Sequence, residues 1–184
     1  MISSTLNGMQ ITLPAHVDAS EEEVLQWLTV HMIWSKPGVI VEAGTFMGHF
    51  ALVAAKTAHI FGFPAHVWTA DVKDFGLSER IESNDLHGCI TEFRGDFADM
   101  LNLYIGAKSV DLAYIDSGPT QGVDVAPELR WEHLAAVMPY MKRGGLIIVD
   151  DTQTKARWPH KDQIRAMGVT IGDAHRAVTL IEAR

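Results

Sequence analysis

Apolar positions along the chain switch between two spacings, and the switching predicts an alternation of strands and helices. The β-branched run Val39 to Val41 has the look of a central parallel strand buried on both faces, and further strands are predicted at His66 to Ala70, Ile90 to Phe93, Val110 to Ile115 and Gly145 to Val149. Helical spacing lies between them. Ala19 to Trp34 places Val24, Leu25, Leu28 and Met32 on one face, and Ser20 followed by Glu23 is a capping-box pattern. Further helices are predicted over Phe50 to Phe61, Phe97 to Tyr104, Val123 to Met141 and Lys155 to Met167. The third of these carries Leu129, Leu134, Val137 and Met138 and stops at a glycine turn before the fifth strand. Val169 to Asp173 and Ala177 to Glu182 read as a closing hairpin with its turn at Gly172 to Arg176. Strands alternating with helices, with no repeats or low-complexity linkers, give an α/β class.

The ends of the predicted strands carry the chemistry. Glu42 closes the first strand, at the carboxyl edge where open α/β sheets bind ligands. Gly44 and Gly48 then flank a tight turn into a helix, and glycine lets the backbone approach a ligand closely. A dinucleotide fingerprint would need a second glycine where Phe46 stands, so a diphosphate is disfavoured. Asp71 ends the second strand, placed to accept hydrogen bonds from ribose hydroxyls. Asp96 follows the third strand and is equally suited to N-cap the helix from Phe97. Asp116 ends the fourth strand and Asp150-Asp151 the fifth, so these carboxylates converge on one sheet edge. An oxygen-only donor set suits Mg²⁺ or another hard divalent cation rather than zinc.

Glu42-x-Gly44-x-x-x-Gly48 resembles the first motif of class I S-adenosylmethionine-dependent methyltransferases. Its spacing is similar to that of the catechol and caffeoyl-CoA type and of bacterial small-molecule O-methyltransferases. The resemblance runs from Val39 to Glu182 and implies a Rossmann-like, doubly wound, mostly parallel seven-stranded sheet with a C-terminal antiparallel hairpin. It also implies a cofactor site in which Glu42, Gly44, Thr45, Phe46 and Gly48 pack against the methionine part of S-adenosylmethionine, Asp71 holds the ribose, and Asp96 and Phe97 lie beside the adenine. Asp116 adjoins the cofactor and, with Asp150 and Asp151, matches the family's metal-ligand positions. The chain departs from the pattern after Asp116, where Ser117-Gly118-Pro119-Thr120 replaces the usual histidine or lysine. The expected catalytic residues are therefore Asp116 together with Asp151 or His160 as proton acceptor.

Composition narrows the function. At 184 residues and 47% hydrophobic, the chain suits one domain over 1–184, with an N-terminal segment and cap helix in 1–36 and a cofactor-binding core in 37–184. Met1 to His16 lacks the features of a secretory signal, and no run of apolar residues is long enough to span a membrane, so a cytoplasmic location is expected. Cys89 is the only cysteine and reads as an inert packed thiol. A net charge of −8 argues against a broad nucleic-acid footprint. Between Lys142 and Arg165, six basic residues face three acidic ones, a local +3 that leaves −11 on the rest. Lys155, Arg157 and Lys161 belong to that excess and would favour a small anionic acceptor.

A lid must come from Met1 to His16, from Thr152 to Lys161 with its Trp158-Pro159-His160, or from a second copy in a homodimer. The competing functions are a nucleotide-dependent oxidoreductase and a non-catalytic S-adenosylmethionine-binding relative.

Overall fold

The computed structural model describes residues 2–6, 9–13, 19–118, 127–152, 161–172 and 177–184. A hairpin of β1 (Ile2–Leu6) and β2 (Met9–Leu13) precedes α1 (Ala19–Ser35). The core then runs β3 (Val39–Ala43), α2 (His49–Phe61), β4 (His66–Asp71), α3 (Leu77–Ser83), β5 (Ile90–Arg94), α4 (Phe97–Tyr104) and β6 (Val110–Ile115). It continues with α5 (Pro127–Val137), a 3₁₀ turn (Met138–Tyr140), β7 (Met141–Val149), α6 (Lys161–Met167), β8 (Val169–Gly172) and β9 (Ala177–Glu182).

The main sheet has seven strands in the order β5-β4-β3-β6-β7-β9-β8. β3 to β7 pair in parallel, while β9 pairs antiparallel with both β7 and β8. The chain winds outward from β3 to β5, then returns to the other side of β3 for β6. That reversal makes the carboxyl ends of β3 and β6 the topological switch point, where α/β sheets hold their ligands.

Both faces of the sheet are covered. Ile40, Val67, Leu112, Tyr114 and Ile148 point towards α1 and α2, where Leu25, Leu28, Met32, Phe50 and Leu52 complete one core. Val41, Ala113, Ile115, Ile147 and Val149 point the other way, onto Phe97, Met100, Leu101, Leu134 and Val137 of α4 and α5. Double coverage is why the strands read as continuous apolar runs rather than alternating ones.

Several boundaries differ from the sequence expectation. α1 begins at Ala19, so Ser20 lies inside the helix rather than before it. Its predicted apolar face, Val24, Leu25, Leu28 and Met32, is buried. The described part of the helix expected over Val123 to Met141 is Pro127–Val137, because Pro139 lacks the N–H needed to continue it and the chain tightens into the 3₁₀ turn. β7 is correspondingly longer than Gly145 to Val149 and starts at Met141. Within the segment Met1 to His16, expected as a possible lid, the described residues pair as β1 and β2, with β2 beside α2 and α3. Among the described residues no helix is long and apolar enough to cross a membrane.

Candidate active site

Register places the first polar group. Glu42 of β3 sits level with Thr69 of β4 and Tyr114 of β6, so all lie on one face at the switch point. Glu42 is buried. Thr69 Oγ1 donates to its Oε2 at 2.5 Å, and Thr45 Oγ1 lies 2.5 Å from Thr69 Oγ1. Burial pushes the Glu42 carboxyl well above the usual carboxylate range, with Asp116 and Asp71 adding repulsion against the opposing Thr69 bond.

The turn after β3 is built on a close crossing. Gly44 has φ +92°, and a Cβ there would come 2.5 Å from the carbonyl oxygen of Asp116. Phe46 also adopts the left-handed region, at φ 42°. A phenylalanine thus keeps a conformation that favours glycine, at the position where a dinucleotide fingerprint would have its second glycine, and such strain clusters at binding sites. Its N–H donates to Asp71 Oδ2 at 3.1 Å, and its ring meets Phe75 edge-on at 5.1 Å. Asp71 Oδ1 accepts from the Lys73 N–H at 3.0 Å.

Beside this turn lies a cavity of about 290 Å³, lined by Gly44, Asp71, Phe75, Asp96, Phe97 and His133 among others. Gly44 also borders a second, smaller hollow of about 30 Å³, lined with Glu42, Thr45, Phe46, His49, Tyr114 and Asp116. Asp96 N-caps α4 by accepting from the Ala98 N–H at 2.8 Å, while its residue also lines the larger cavity. The capping expectation for Asp96 holds. The structure therefore brings Glu42, Gly44, Thr45, Phe46, Asp71, Asp96, Phe97 and Asp116 to two adjoining spaces. Gly48 instead shapes the turn: it has φ +78°, and a side chain there would run into Leu77.

The carboxylate cluster differs from the metal site expected of Asp116, Asp150 and Asp151. Arg130 Nη2 lies 2.9 Å from Asp116 Oδ1 and 3.0 Å from Asp151 Oδ2. Asp150 is fully buried, accepting from the Tyr114 hydroxyl at 2.5 Å and from the Asp151 N–H at 2.7 Å. Among the described residues no group of His, Cys, Asp and Glu is arranged to hold a metal ion. The donor set does not fit a divalent cation, because a guanidinium stands between two of the oxygens the ion would need.

Arg130 is 2% exposed. Burial opposes its charge, but Asp116 and Asp151 outweigh burial and hold its pKa above the ordinary arginine value.

Other expectations end differently. His160, with Trp158 and Pro159, lies outside the described residues, as do Lys155 and Arg157. Lys142, part of the basic excess, pairs with Asp111 Oδ1 at 2.7 Å. Asp111 Oδ2 also accepts from the Gly38 and Val39 N–H groups, which places this pair at the amino end of the sheet, opposite the site.

Two residues of α5 were not anticipated. Arg130 and His133 fall on its buried face with Leu134 and Val137. His133 Nδ1 lies 2.5 Å from Ser117 Oγ, and its ring packs 5.2 Å from that of Phe97. Burial pulls its pKa below the ordinary imidazole value, outweighing Asp96 and Glu132, so the ring is neutral near pH 7. The only signal in the sequence was their i, i+3 spacing within an apolar pattern.

A methyltransferase-domain family model matches residues 41–152, more than half of the chain. The chain belongs to this family. It is an S-adenosylmethionine-dependent methyltransferase, and the oxidoreductase alternative falls with the glycine that Phe46 replaces.

No curated protein sequence matches this methyltransferase significantly. Solved structures share its fold. They include methyltransferase PaMTH1 of Podospora anserina bound to S-adenosylhomocysteine, at TM-score 0.68 and 13% identity over 91% of this chain and 80% of that one. The O-methyltransferase TomG of Streptomyces achromogenes, in complex with S-adenosylmethionine, gives TM-score 0.65 and 14% identity over 87% and 80%. A 16S rRNA N2 G1207 methyltransferase of T. thermophilus, in complex with the same cofactor and guanosine, gives 0.72 and 15% over 100% of this chain and 50% of that one.

Proposed function

We propose that this methyltransferase is a cytoplasmic, single-domain enzyme that methylates a hydroxyl oxygen of a small anionic molecule. The observation that carries the reading is the pair of adjoining spaces on either side of Gly44, one edged by Asp71 and Asp96 and the other by Glu42 and Asp116. The larger is near the lower end of small-molecule sites in volume and suits an adenosine, with Asp71 towards the ribose hydroxyls and Phe97 and Asp96 beside the base. The smaller, edged by the buried Glu42 carboxyl and the turn after Gly44, is assigned to the cationic methionine end.

When bound, S-adenosylmethionine supplies an electrophilic methyl group on a sulfonium. The residues of this chain contribute position and electrostatics rather than a covalent intermediate. Asp116 and Asp151 are assigned to the acceptor hydroxyl, the proton passing to one of these carboxylates, with His160 as the alternative acceptor. Support for an anionic acceptor comes from the basic excess at Lys155, Arg157 and Lys161, and support for a small one from the acidic chain as a whole. A second copy of the chain is proposed as the source of any wall these elements leave open.

Calorimetry with S-adenosylhomocysteine tests the cofactor placement. Asp71→Ala should weaken binding by about tenfold to a hundredfold, the worth of lost hydrogen bonds between a carboxylate and two hydroxyls. Unchanged affinity would overturn the ribose assignment. A screen with radiolabelled methyl donor tests the acceptor. Label on hydroxylated acids or phosphates is expected, and label chiefly on ribosomal RNA would replace this reading with a nucleic-acid one.

A further inference from the structure

We infer that Arg130 is the resident cation of the carboxylate cluster and that methyl transfer in this enzyme is independent of divalent metal. The inference rests on the assignment of Asp116 and Asp151 to the acceptor side of the site.

Carboxylates gathered at one sheet edge repel one another unless a positive charge or protons intervene. In metal-assisted enzymes a hard cation fills that role. Here one nitrogen of one side chain does so: Arg130 Nη2 reaches Asp116 Oδ1 at 2.9 Å and Asp151 Oδ2 at 3.0 Å. The third carboxylate is also engaged, since Asp150 accepts from the Tyr114 hydroxyl and from the Asp151 N–H.

The guanidinium cannot be discharged to make room. Arginine stays protonated at all physiological pH values, and the flanking aspartates raise its pKa further. Nor is there an easy way for it to swing aside. It projects from the buried face of α5, whose Leu134 and Val137 lie in the core with Ile147 and Val149. A divalent ion between Asp116 and Asp151 would stand against the buried guanidinium, a like-charge contact.

Hydrogen bonding alone does not account for the burial of this side chain. Among the described residues Nε and Nη1 have no hydrogen-bond partner, while Nη2 bridges the carboxylates. Charge neutralisation does account for it: the cluster takes the positive charge and leaves the other donors unsatisfied.

Titration with Mn²⁺, followed by the electron paramagnetic resonance signal of the free ion, tests the inference on wild type, Arg130→Met and Asp116→Asn. The wild type should leave the free-ion signal unchanged, and Arg130→Met should take up about one equivalent through the vacated carboxylates. One equivalent bound by the wild type and lost in Asp116→Asn would overturn the inference. So would a folded Arg130→Met that binds none, because the cluster would then not be a cation site at all.

If Arg130→Met does not fold, the melting temperature of the wild type against Mg²⁺ decides: no saturable rise supports the inference, and a saturable rise overturns it. Chelator should leave methyl transfer by the wild type unchanged, and its loss would overturn the metal-independent reaction. Failure to methylate any acceptor would instead count against the proposed function, since the Mn²⁺ titration reads without turnover.

Discussion

Glu42 is a carboxylate with almost no contact with water, held by a threonine hydroxyl and facing Asp116 and Asp71 across the switch point. Burying a charge without a partner is costly, and the group answers by keeping its proton to a higher pH than an exposed glutamate. A cationic ligand reverses the balance. Binding of the methionine end should therefore draw Glu42 towards ionisation and release a proton. Calorimetry of S-adenosylmethionine binding in buffers of different ionisation enthalpy, run as a pH series upward from 4.5, should show that release, and Glu42→Gln should abolish it. The same variant should weaken binding by about tenfold or more, the worth of one hydrogen bond to a charged group. Proton release that survives in Glu42→Gln would assign the titration to another residue.

Among the elements, β3 to β6 and α4 were readable almost to the residue: double burial leaves nearly continuous apolar runs in β3 and β6, and the cap of α4 depends only on its own neighbours. α5 was not. Its sequence reading took Leu129, Leu134, Val137 and Met138 as the apolar face, yet Leu129 lines the large cavity and Met138 is 38% exposed. The buried positions are Arg130, His133, Leu134 and Val137, spaced i, i+3, i+4 and i+7. A pattern reading assigns arginine and histidine to solvent. Only the convergence of Asp116 and Asp151, remote from Arg130 in sequence, gives the charge a reason to face inward.

The consequence is that α5 carries Arg130 at the acidic cluster and, one turn on, His133 in the wall of the larger cavity. His133→Ala should weaken S-adenosylhomocysteine by about threefold to tenfold, the loss of one buried polar contact, while leaving the Mn²⁺ behaviour of the cluster as in the wild type. An unchanged affinity would place His133 outside the cofactor site.

The molecule as a whole buries titratable groups of opposite sign in their pH response. His31, His66 and His133 have pKa values lowered from 6.5, chiefly by burial. Between those lowered values and 6.5 the unfolded chain binds more protons than the folded one, so stability is lost as the pH falls through that window. Glu42 acts in the other direction. Its folded carboxyl binds a proton more readily than the unfolded one, so above 4.5 stability falls as the pH rises towards its raised value.

Asp74 and Asp111 have lowered values, and what they contribute is lost only on acidification below the ordinary 3.8. The wild-type ligand-free protein should therefore show a flattened stability profile on the acidic side of neutrality, two slopes partly cancelling. Glu42→Gln removes the Glu42 part of the opposing slope and leaves that of Glu92, whose pKa burial also raises. Differential scanning calorimetry from about pH 7 to about pH 5.5 should give a melting temperature that falls more steeply in Glu42→Gln than in the wild type, by about 2–4 °C for each kcal/mol of difference in a domain of this size. At about pH 7 the variant should melt above the wild type, because the cost of burying the Glu42 carboxyl, which its raised pKa expresses, is gone. A variant whose profile parallels the wild type would show that Glu42 does not titrate in the folded protein within that window.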